Sequence, residues 1–63
     1  MKRAKLIQHI IRYGCVFHRE GGNHTVFVNP KTFKTSAIPR HTEIGDIFCN
    51  EICKQLGVPK IKQ

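Results

Sequence analysis

A chain of 63 residues buries only roughly 60% of the surface that its unfolded form exposes, and that limit decides most of what it can fold into. It leaves material for one domain, over residues 1–63, and none for a second core. The large apolar residues are also dispersed, from Leu6 and Ile7 through Phe27 and Ile38 to Ile52 and Leu56. At about 1.5 to 3 kcal/mol for each fully buried side chain, they support one thin layer of helices against a small sheet. Such a layer has no depth for an enclosed pocket. A site belongs on the open surface, where a polymer fits better than a small molecule.

The pattern along the chain fills in that layer. Between Lys2 and Tyr13, the residues Leu6, Ile7, Ile10 and Ile11 fall on one helical face, and Gly14 stands where a helix stops. Cys15 to Arg19 predicts a first strand. Glu20-Gly21-Gly22-Asn23 predicts a tight turn that uses positive φ angles, and His24 to Asn29, rich in β-branched and aromatic residues, a second strand paired back on the first. A further turn begins at Asn29-Pro30-Lys31. Thr35 to Ile38 is a short third strand closed by Pro39, whose missing N–H suits a strand end or edge. Ile44, Ile47, Phe48, Ile52 and Leu56 recur at helical spacing, with Asp46 as N-cap and with Gly57 and Pro59 as the stop. The expected fold is therefore α+β: a small two-layer αβββα domain, a three-stranded antiparallel sheet with two helices on one face. Lys60 to Gln63 form a tail too short and polar to fold alone. Which sheet face carries His24 stays open, because both alternating sets of the second strand include apolar side chains.

Charge narrows the partner. Eleven Lys and Arg against four Asp and Glu give a net charge of +7, which points to a polyanionic or acidic partner, nucleic acid first. No apolar run approaches the roughly 18 to 20 residues that span a bilayer, so no membrane role is expected. Met1 to Ile11 begins basic and turns apolar, but Gln8 and His9 interrupt it and no small-residue cleavage site follows. It reads as a helix of the mature domain. Cys15, Cys49 and Cys53 make no paired framework, which points to a reducing cytoplasm. Cys49 and Cys53 stand i, i+4 on the second helix, a spacing at which two thiolates can touch one metal. The second ligand pair of a structural zinc site is missing, so they read as small buried hydrophobes flanking the apolar stripe, and neither metal nor cofactor is expected.

The stretch Arg19 to His24 concentrates a guanidinium, two glycines, an amide and an imidazole around one turn. Gly21 and Gly22 let backbone N–H groups approach a phosphate, and Arg19 can grip its oxygens in pairs. Histidine is the side chain that takes or gives a proton near neutral pH. Those parts suffice for phosphodiester cleavage in RNA, whose 2′-OH is an internal nucleophile; DNA has none. On composition alone, Gly-Gly-Asn is equally an ordinary hairpin turn. His9 reads as a solvated helical residue and His18 as a surface strand residue, although the hairpin can bring His18 near His24. Arg40 and His41 offer a second guanidinium and imidazole for the same rim, and Lys34 a charge to steer the strand.

Three runs, REGGNHTVFVNP, SAIPRHTEI and EICKQLGVP, in this order and spacing, resemble the HicA (YcfA-like) toxins of bacterial toxin–antitoxin pairs over essentially the whole chain. The most specific element is Gly22-Asn23-His24, supported by Pro39-x-His41. Asn23 stands where Ser is common in that family, and Thr25 where a second His often follows. The resemblance implies a fold similar to double-stranded RNA-binding domains, cleavage of messenger RNA, His24 as the catalytic residue and a HicB-like antitoxin as partner. Arg19, Gly22, Asn23, Lys34, Arg40 and His41 are then the candidate RNA-binding residues. A non-catalytic double-stranded RNA-binding module, or an inactive remnant that only binds its antitoxin, would share the same fold and charge.

Overall fold

The computed structural model describes residues 1–61, in the order α1 (Arg3–Arg12), β1 (Val16–Gly21), β2 (His24–Asn29), β3 (Lys34–Pro39) and α2 (Asp46–Leu56). The strands form one antiparallel sheet, β1-β2-β3, and the helices cover one of its faces, which is the expected α+β arrangement. Burial alternates along β2, where Thr25, Phe27 and Asn29 are buried and His24, Val26 and Val28 are not. The same row continues into Ser36 and Ile38 of β3. Phe27 and Ile38 meet Leu6 and Ile10 of α1, and Cys49, Ile52, Cys53 and Leu56 of α2, in a single core. His24 therefore belongs to the face turned away from the helices.

β1 contributes little to this core. It is an edge strand whose residues Val16 to Glu20 are all exposed, and its register slips between Phe17 and Arg19, leaving His18 in a bulge without a paired residue. The strand also runs on to Gly21, so the turn shrinks to Gly22-Asn23, and Gly22 alone in it carries a positive φ, 48°.

The second helix differs from expectation in two ways. Its buried stripe is Cys49, Ile52, Cys53 and Leu56, an i, i+3, i+4, i+7 series. Ile47 is 83% exposed, and Phe48 is also exposed. The thiols thus take places within the stripe, where burial raises the pKa of all three cysteines. Asp46 is the first helical residue and not the cap: Gly45 holds that position, and no side chain caps the helix. A carboxylate in the first turn still faces the positive end of the helix dipole.

At its other end α2 stops as expected. Gly57 takes φ 73°, and Val58 N–H donates to the Cys53 carbonyl at 2.9 Å, closing the last turn. Asn29 Nδ2 donates to the Leu56 carbonyl at 2.8 Å, while Ser36 Oγ lies 2.6 Å from Gln55 Oε1. These bonds fasten the helix end to the sheet. Of the expected loose tail, Ile61 packs against the core, and Lys62 and Gln63 lie outside the described residues.

Candidate functional site

The two-residue loop sets the geometry around His24. In the sheet register His24 pairs with Gly21 of β1 on one side and with Pro39 of β3 on the other. Gly21 has no side chain, Pro39 is buried and His24 is exposed, so the imidazole stands open to solvent at the end of the sheet. Arg19 lies on the same face, two residues along β1, and a Cβ placed on Gly21 would come within 3.0 Å of its Nη1. The guanidinium therefore folds over Gly21, the cross-strand partner of His24. Glycine at this position leaves it room to do so.

Beyond the loop, Asn23, Arg40 and His41 line an open depression of about 250 Å³. The structure thus gathers Arg19, Gly22, Asn23, Arg40 and His41 around the end of the sheet that holds His24. Arg40 is already engaged: its Nη2 lies 2.6 Å from Glu20 Oε2. Both partners are about half exposed, so the pair is open to exchange with another anion.

Lys34 is placed elsewhere. It pairs with Asn29 at the far end of β2, five residues from His24 and roughly 16 Å away at about 3.3 Å per residue. His18, held in the bulge, is likewise not brought beside His24. His9 is not a freely solvated helical residue, since its Nε2 lies 2.7 Å from the Pro59 carbonyl oxygen. Among the described residues, no group of three or more His, Cys, Asp or Glu is arranged to hold a metal ion.

One residue near the site carries no signal in the sequence. Arg3, at the start of α1, donates from Nε to the Pro39 carbonyl at 2.9 Å and from Nη2 to Thr25 Oγ1 at 3.1 Å. Both acceptors border His24, one as its cross-strand partner and the other as its strand neighbour. No local pattern marks this tie, because it joins residues 22 and 36 positions apart.

A family model described as "HicA toxin of bacterial toxin-antitoxin" matches residues 3–58, which takes in every element of the fold and every site residue named above. No curated protein and no solved structure matched the chain.

Proposed function

The chain belongs to the HicA toxin family, the toxin component of bacterial toxin–antitoxin pairs, and we propose that it acts as a metal-independent endoribonuclease on messenger RNA with His24 as its catalytic residue. The observation that carries this reading is the exposed imidazole between Gly21 and Pro39 with the Arg19 guanidinium beside it. In this mechanism His24 takes the proton of the 2′-OH, the 2′-oxygen attacks phosphorus, and the 5′-oxygen leaves with a proton from water or from a second imidazole such as His41. The products are a 2′,3′-cyclic phosphate and a free 5′-hydroxyl. Arg19 and the backbone N–H groups of the Gly22-Asn23 loop hold the phosphate oxygens and meet the charge that builds on them. Arg40 and His41 bind the neighbouring strand, and Lys34, at the far end of the sheet, steers it at longer range. A HicB-like antitoxin would block the reaction by covering this end of the sheet.

Two measurements test the proposal. Purified protein should cleave messenger RNA in excess EDTA and leave cyclic phosphate ends. Loss of cleavage in EDTA, with recovery on adding zinc or magnesium, would overturn the metal-independent mechanism. The second concerns Glu20, which occupies Arg40. Exposed ion pairs are worth about 0 to 1 kcal/mol, so Glu20→Gln should tighten RNA binding by up to about fivefold, measured by fluorescence anisotropy. Weaker binding in that variant would show that the pair positions Arg40 for RNA instead of competing with it.

A further inference from the structure

A depression beside α1 shares no lining residue with the one next to His24. It is a groove of about 520 Å³ between α1 and the segment that follows α2, and Lys5, His9, Arg12, Tyr13, Pro59 and Lys60 are among the residues that line it. Lys5, Gln8, His9 and Arg12 follow the i, i+3, i+4, i+7 series of one helical stripe. That stripe is distinct from the Leu6 and Ile10 pair that α1 buries. No carboxylate of the described residues lines the groove, and Lys5 and Arg12 form no ion pair among those residues. One wall is fixed by the contact between His9 Nε2 and the Pro59 carbonyl. The same imidazole packs against Tyr13, with ring centroids 5.0 Å apart, while the tyrosine remains 44% exposed.

Cationic side chains on both walls and a braced, accessible aromatic ring are what a single-stranded nucleic acid requires. Phosphates take the charges, and an unpaired base takes the ring face. An acidic protein segment would use the charges but has no need of the ring. We infer that this groove is a second RNA-binding site, taking the sugar–phosphate backbone on Lys5, Arg12 and Lys60 and a base on Tyr13, apart from the place where the strand is cut. The inference rests on the proposed ribonuclease reading only for the identity of the polymer. Its role is to hold messenger RNA by a segment remote from the scissile bond, so it acts on binding and not on the chemical step.

The test uses the full chain, with a 2′-O-methyl oligouridine as an uncleavable probe. Lys5→Ala/Arg12→Ala should lower the magnitude of the slope of log K against log salt by about 1.4, at roughly 0.7 for each phosphate no longer neutralised. Tyr13→Leu should weaken binding by about fivefold or more as base stacking is removed, with the salt slope unchanged. On messenger RNA both variants should raise KM at constant kcat. Circular dichroism should show the parent helix content, because the substitutions are made at exposed positions. An unchanged salt slope and KM overturns the groove. So does a fall in kcat alone, or a loss of antitoxin binding with RNA binding intact. If the parent protein binds the oligomer and the groove variants do not, while no RNA is ever cleaved, the groove stands and the ribonuclease reading falls.

Discussion

His24→Ala should abolish RNA cleavage and growth inhibition while leaving the fold and RNA affinity close to those of the parent. The two effects separate because of where the residue sits. Its side chain is exposed on the helix-free face at the end of β2, so truncation opens no cavity. Surface substitutions of this kind change stability by less than about 0.5 kcal/mol. Losing a positioned proton-transfer group costs about 10² to 10⁴ in rate, far beyond anything a shift in folded population explains. His41→Ala, at the rim of the neighbouring depression, should cost less, since water can replace it as the proton donor. Thermal melting, oligomer binding and cleavage measured side by side on both variants decide the matter. A His24 variant that cleaves like its parent removes this residue from the mechanism.

The largest effect on stability is expected from Ile38→Ala. Ile38 is fully buried on β3, where it pairs with Thr25 of the central strand and joins the core shared with both helices. Removing a buried Ile side chain down to Ala costs about 2 to 5 kcal/mol. A domain of 63 residues has roughly 3 to 9 kcal/mol in total, at about 0.05 to 0.15 kcal/mol per residue. The variant should therefore melt at least about 8 °C lower, given roughly 4 to 8 °C per kcal/mol for domains of this size. Ile38→Val should lose much less. A melting temperature within a few degrees of the parent for Ile38→Ala would mean that the core repacks around the loss.

The order of elements and the limits of β2 were legible because they depend on local signals: the helical spacing of Leu6 and Ile10, the β-branched run after Asn23, and glycines at Gly14 and Gly57. What sequence left unresolved depends on distance through space. His24, Val26 and Val28 carry as much apolar character as the set that is buried, so only docking of the helices selects Thr25, Phe27 and Asn29. On α2 the hydrophobicity of Ile47 and Phe48 outweighed that of two cysteines, yet 3.6-residue periodicity places Cys49 and Cys53 in line with Ile52 and Leu56. The candidate site was legible in part. Arg19, the loop and His24 are adjacent in sequence, and β3 returns Arg40 and His41 to them. Lys34 belongs to the same strand as Pro39 but enters it at the opposite end.

The tie from Arg3 bears on how the molecule opens. Sheet ends usually fray independently of the rest of a protein, at a small fraction of the global unfolding free energy. Pro39 has no N–H to give to the ladder, so the row containing His24 should be the weakest in this sheet. Arg3 instead binds the Pro39 carbonyl and the Thr25 hydroxyl from the first turn of α1, and α1 is held by the buried Leu6 and Ile10. The β2–β3 end at His24 therefore joins the same cooperative unit as the helix. The backbone that carries His24 is therefore in place whenever the domain is folded, and is lost only when α1 leaves the sheet.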